Sequence, residues 1–86
     1  MTPLRLRADV ATTETEDGMV LLDRRTGRYW VLNRTGALVV RGLTAGLSHD
    51  EIAEELAGEQ HRDAGQALAE VRALAEQLRN AQLAHT

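Results

Sequence analysis

Residues 19–33 read MVLLDRRTGRYWVLN, and the way this stretch folds back on itself decides the architecture. Apolar residues run from Met19 to Leu22 and resume at Tyr29, with the β-formers Val20, Tyr29, Trp30 and Val31 in the two arms. Between the arms lies Arg24-Arg25-Thr26-Gly27. Gly27 stands where such a hairpin loop needs a left-handed backbone. Closure of the loop by Asp23 and Arg28 sets Leu22 opposite Tyr29, Leu21 opposite Trp30, Val20 opposite Val31 and Met19 opposite Leu32. Met19, Leu21, Trp30 and Leu32 then share one face, and Val20, Leu22, Tyr29 and Val31 the other. Both faces are largely apolar, so both need cover. Leu32 leads directly into a helix cap at Asn33, which predicts that Trp30 and Leu32 face the helices and that Tyr29 and Val31 lie outside.

On the N-terminal side, Leu4, Leu6, Ala8 and Val10 alternate with Arg5, Arg7 and Asp9, a period of two that predicts a first strand. The polar stretch Thr12 to Gly18 would connect it to the second strand, with Asp17-Gly18 as the turn pair. A lone hairpin is barely stable, so the expected unit is a three-stranded antiparallel meander with its third strand, Arg28 to Asn33, at the edge.

On the C-terminal side the periodicity changes to that of helices. Asn33 is a cap for a short helix carrying Ala37, Leu38, Val40, Arg41 and Leu43, which ends in the Gly42 to Gly46 region. Ser48-His49-Asp50-Glu51 is a capping box that opens a second helix, with Ile52, Ala53 and Leu56 as its apolar stripe and Gly58 as its stop. Asp63 starts the third and longest helix, in which Leu68, Val71, Leu74 or Ala75, and Leu78 recur every three to four residues. Ala64, Ala67 and Ala69 keep its first turns slim. The order predicts an α+β fold, a three-stranded antiparallel meander followed by three helices on one side of the sheet.

At 86 residues the chain is expected to form one domain, with a core over about residues 4–83. It has no cysteine, which excludes disulfides, cysteine-ligated zinc and thiol catalysis. No apolar run approaches the roughly 20 residues that span a bilayer, and the N-terminus lacks a signal-peptide core, so the expected location is the cytoplasm, with no membrane partner. All ten basic residues are arginines, and the net charge is −3. Residues 1–47 carry +2 and residues 48–86 carry −5. The more helical half is the acidic one, which disfavours nucleic acid as a partner.

Catalytic and metal chemistry find little here. His49, His61 and His85 are far apart and fit no metal-ligand spacing. Ser48 is the only serine and is accounted for as a helix cap. Gly42 to Gly46 lacks the Lys-Ser/Thr of a phosphate loop, and Glu51, Glu54 and Glu55 read as a solvated helix face. No enzyme, metal or cofactor is expected.

The sharpest feature is Tyr29-Trp30-Val31. The chain has one Tyr, one Trp and no Phe, so both large aromatics fall side by side on an edge strand. The plain reading puts one ring in the core while the other shields the sheet. The functional reading is an edge that accepts a peptide strand, with main-chain bonds giving affinity and neighbouring pockets giving specificity. An unprotected apolar edge is otherwise an aggregation hazard. Arg24, Arg25 and Arg28 beside it form a solvated turn or meet an acidic peptide.

These pieces together resemble a known family. Asp17-Gly18, Leu21-Leu22-Asp23, Thr26-Gly27-Arg28-Tyr29, Leu32-Asn33 followed by Gly36, and Gly46 and Ser48 before Glu51-Ile52-Ala53 are similar in order and spacing to the PqqD-like proteins. These are also called RiPP recognition elements, and the resemblance is closer to the stand-alone versions of lasso-peptide gene clusters. It covers roughly residues 5–83. It implies a winged-helix-like fold that binds the leader segment of a ribosomally made precursor peptide, without catalysis, and hands the precursor to a leader peptidase and a cyclase. In such proteins the leader adds as an antiparallel strand to strand three and packs toward helix three. On this sequence the motif makes Arg28, Tyr29, Trp30, Val31 and Leu32 the receiving strand. The phase of helix three, rather than any motif, gives Ala64, Ala67, Leu68, Val71 and Leu74 as the opposing wall. Glu70 near the groove would attract a basic leader, although a surface charge contributes only about 0–1 kcal/mol.

Two other classes fit the same outline. Three helices and a hairpin wing resemble a DNA-binding regulator, but helix three would then present Asp63, Glu70 and Glu76 beside Arg72 and Arg79, a poor match for phosphates. The third reading is an adaptor that binds another protein and no precursor peptide.

Overall fold

A computed structural model describes residues 4–85. The elements run β1 (Arg5–Leu6), β2 (Val10–Glu14), β3 (Met19–Asp23), β4 (Tyr29–Leu32), α1 (Arg34–Thr44), α2 (His49–Gln60), α3 (Ala64–Asn80) and β5 (Ala84–His85). Strands β2, β3 and β4 form an antiparallel sheet in that order, followed by the three helices. The expected α+β architecture is therefore present. The hairpin register is the one its residues dictate: Met19 pairs with Leu32, Val20 with Val31, Leu21 with Trp30 and Leu22 with Tyr29. Gly27 takes a φ of 75°, as the loop requires.

The first strand differs from expectation. The alternating stretch Leu4 to Val10 is broken by a turn at Ala8-Asp9, where the Val10 amide donates to the Arg7 carbonyl at 3.1 Å. Its first part, β1, leaves the meander and pairs with β5 at the other end of the chain, Arg5 against His85 and Leu6 against Ala84. The meander strand is β2, which takes in Thr12, Thr13 and Glu14 from the stretch assigned to the connection. Period-two alternation is satisfied by either pairing, and the choice is made by burial of Leu4, Leu83 and Ala84 in the core. The segment around His85 is thus part of the fold.

Each helix start follows its cap. Asn33 Oδ1 accepts from the Gly36 amide at 2.9 Å, Ser48 and Glu51 close a reciprocal capping box, and Asp63 Oδ2 accepts from the Gln66 amide at 3.1 Å. Gly58 does not stop α2. The helix continues to Gln60 and ends on His61 in the left-handed region at φ 53°. With no partner element forcing a break at Gly58, the helix simply runs through it.

The core lies between the inner face of the sheet and the helices. Met19 and Leu21 point into it from β3 and belong to one buried cluster with Ala37, Val40 and Leu43 of α1, Ile52 and Leu56 of α2, and Val71 and Leu78 of α3. Trp30 and Leu32 pack against this cluster from β4, whereas Tyr29 and Val31 stand exposed on the far side at 68% and 72%. Among the described residues no helix is long and apolar enough to cross a membrane.

Candidate functional site

Among the described residues, strand β4 has a neighbour on one side only. The Asp23 amide donates to the Arg28 carbonyl at 2.8 Å, which makes Asp23 and Arg28 a hydrogen-bonded pair. Antiparallel ladders alternate bonded and non-bonded pairs. Trp30 and Leu32 therefore exchange bonds with β3, while the main-chain groups of Tyr29 and Val31 point away from the sheet. Their side chains are on the outer face, but their amides and carbonyls form the free edge.

The free edge borders a groove of about 390 Å³. One bank is Val31, Leu32 and the first turn of α1, with Asn33, Thr35 and Gly36; the other is α3, with Glu70, Ala73, Leu74 and Gln77. Gly18 sits behind the β4 bank, where a Cβ would overlap the Leu32 carbonyl oxygen. A polar chain crosses the groove on one side. Arg62 pairs with Glu70 and donates to Gln60 Oε1 at 3.2 Å, and Gln60 Nε2 donates to Thr35 Oγ1 at 2.9 Å. It ties α3 to α1 through the end of α2. Because Glu70 is already engaged by a cation, its charge is largely cancelled, which weakens the expectation that it draws in a basic peptide.

The hairpin loop is anchored at its base. Asp23, only 2% exposed, accepts from Arg25 Nε at 3.2 Å, from Arg25 Nη2 at 3.0 Å and from the Arg25 amide at 2.9 Å. Arg25 also donates to the Gln82 carbonyl at 3.2 Å and lies 3.4 Å from Asp9 Oδ2. The side-chain hydrogen bonds from Arg25 hold the Asp23 carboxyl below the usual carboxylate range, against the opposing effect of burial. Arg28 has no carboxylate within ion-pair distance among the described residues, and its guanidinium carbon lies 5.8 Å from the Trp30 ring centroid.

The sequence-derived site residues fall into three groups. Val31, Leu32, Glu70 and Leu74 line the groove together; Tyr29 and Trp30 continue the same strand to its start, and Arg28, assigned to the strand from sequence, lies just before it. Ala67 and Val71 are fully buried and support the α3 bank from behind, and Leu68 also packs on the core. Ala64 is exposed in the first turn of α3 and is not in the groove lining. Ala73, Gln77 and Thr35 were not singled out from sequence. Ala73 and Gln77 lie three and seven residues past Glu70, so the helical period marks them as one face with it once one groove residue is known. A larger groove, about 520 Å³, lies against β1, β2 and the end of α1, lined among others by Arg5, Leu6, Val10 and Leu43. It does not adjoin the apolar edge. Among the described residues no group of three metal-ligating side chains occurs.

Comparison with known proteins converges on one family. Residues 18–84 match the family described as Coenzyme PQQ synthesis protein D (PqqD). A solved structure described as lasso peptide synthetase B1 complexed with the leader peptide is 37% identical, with a TM-score of 0.88 over 96% of this chain and 98% of that one. TbiB1 in complex with the TbiA(beta) leader peptide is 25% identical, with a TM-score of 0.87 over 94% of each chain. No curated protein sequence matches significantly. The family match spans most of the chain, including the hairpin and all three helices: this protein is a member of the PqqD family.

Proposed function

We propose that this chain recognises the leader segment of a ribosomally made precursor peptide and takes it up as an antiparallel strand on the free edge of β4. The observation that carries the proposal is the coincidence of an unpaired apolar edge with a groove in a fold shared with two leader-peptide complexes. The Tyr29 and Val31 main chain supplies the hydrogen bonds. Alternate peptide side chains enter the groove between Leu32 and Leu74, with Arg28, Trp30 and Glu70 at its margins and Ala64, Ala67, Leu68 and Val71 behind or beside the helical bank. The chain acts as one peptide-recognition domain in the cytoplasm, without chemistry of its own, and presents the bound precursor to a leader peptidase and a cyclase.

The test is fluorescence anisotropy with the labelled leader peptide of the lasso peptide synthetase B1 complex, beside a scrambled version and labelled duplex DNA. Saturable binding of the leader alone is expected, together with its loss in Val31→Pro, which removes an edge amide without breaking a bond to β3. Equal binding by Val31→Pro would remove strand addition. Binding of duplex DNA but not of the leader would replace peptide recognition by DNA binding.

A further inference from the structure

The loop at the head of β4 carries three arginines, and the fold treats them differently. Arg25 is consumed by Asp23, Asp9 and the Gln82 carbonyl. Arg24 is exposed within the turn, its amide bonded to the Asp9 carbonyl. Arg28 alone combines three properties. It sits at the start of the free edge, no carboxylate among the described residues pairs with it, and its guanidinium is held near the Trp30 ring. Trp30 belongs to the sheet face that meets the helices. Arg28 is two residues before it, so both side chains leave the strand on that same face. An unpaired cation therefore stands on the helix side of the sheet, on the loop side of Val31 where the strand bank of the groove begins. On the α3 bank Glu70 is paired with Arg62, so it leaves the charge of Arg28 unbalanced.

We propose that Arg28 is a specificity residue for an acidic side chain in the C-terminal part of the bound strand. The proposal rests on the strand-addition reading above. In an antiparallel pair, directly opposed residues share a face and their order runs in reverse. The peptide residue opposite Leu32 projects into the groove, the residue two positions later lies opposite Trp30, and the residue four positions later lies opposite Arg28. The ligand class is thus a peptide with an apolar residue followed, four positions on, by Asp or Glu. The carboxylate can take two parallel N–H bonds from the guanidinium, a geometry lysine cannot reproduce. The Trp30 ring limits the orientations Arg28 must give up on binding.

A lysine scan of the same labelled leader peptide, titrated into wild type, Arg28→Glu and Arg28→Lys, tests this. The expected result is one position at which lysine weakens binding to wild type but strengthens binding to Arg28→Glu. It should lie four residues beyond the position where lysine abolishes binding to all three proteins. For the unmodified peptide, Arg28→Glu should lose about fivefold, the upper range for a partly exposed ion pair, while Arg28→Lys, which keeps the charge but not the paired N–H bonds, should fall between it and wild type. Thermal melts of each variant separate loss of fold from loss of contact. Full affinity in a folded Arg28→Glu, or a scan with no such reversal, would overturn the role of Arg28 and leave strand addition standing. Failure of wild type to bind the unmodified peptide at all would instead remove strand addition, and this inference with it.

Discussion

The backbone of Gly18 lies flush against the carbonyl of Leu32, so closely that no side chain fits between them. An added Cβ would also sit 2.9 Å from the Leu32 and Asn33 carbonyl carbons. The turn that delivers β3 thereby fixes the end of β4 and the cap of α1, where the groove begins.

Gly18→Ala should consequently be among the most damaging small substitutions. The obstacle is backbone, which cannot rotate away like a side chain, and overpacking of this kind costs about 1–3 kcal/mol or more. At roughly 4–8 °C per kcal/mol for a domain of this size, a melt followed by circular dichroism should show a clear drop. Leader affinity should fall as well, since Leu32 shifts with the strand.

Asn33 both caps α1 and lines the groove. Asn33→Ala should cost about 1 kcal/mol of stability, read from chemical denaturation, by leaving the Gly36 amide without its acceptor. Asn33→Asp keeps the acceptor and should hold stability near wild type.

Acid should loosen the loop through Asp23. Its carboxyl titrates lower in the folded chain than in the unfolded one, so the unfolded state gains the proton first. The contribution is therefore present at neutral pH and lost as pH falls below about 4, through the lowered folded value. Asp23→Asn should reduce the melting temperature at pH 7 and flatten its acid decline. An unchanged acid limb in that variant would show that other carboxylates dominate.

Trp30 is half-buried against the core beneath Arg28. As the sole tryptophan it gives a clean signal, expected to be blue-shifted from the free amino acid in the folded protein. Emission like that of free tryptophan would contradict its packing. Leader binding beside Trp30 should shift it further, and Arg28→Ala should alter the starting intensity.

Leu21 and Leu56 are fully buried. Leu56→Ala should destabilise by about 2–5 kcal/mol, in the range for cavities in close-packed cores, because α2 and α3 pack across it. Leader binding at a temperature where the variant remains folded should be nearly unchanged, which separates core from groove.

Whatever depends on neighbours a few residues apart is legible in the chain before it folds. The hairpin from Met19 to Leu32 came through with its register, because a period of two and a loop ending in Gly27 leave one pairing that sorts the apolar residues onto faces. The caps at Asn33, Ser48 and Asp63 were equally legible, since each oxygen reaches an amide only three residues on. The remainder depends on contacts between segments far apart in the chain. Alternation in Leu4 to Val10 could not say that β1 would pair with β5, nearly the whole chain away, or that the meander would use the polar Thr12 to Glu14. The apolar period of α3 marked a buried stripe, but only packing separated Ala67 and Val71 in the core from Leu74, Ala73 and Gln77 on the groove. Charges behaved likewise: Arg25 and Glu70 find partners on other elements, and Arg28 is left facing the edge. Local steric and hydrogen-bonding preferences are written in short stretches of chain, whereas the choice among equally good apolar surfaces is made by which arrangement excludes most water.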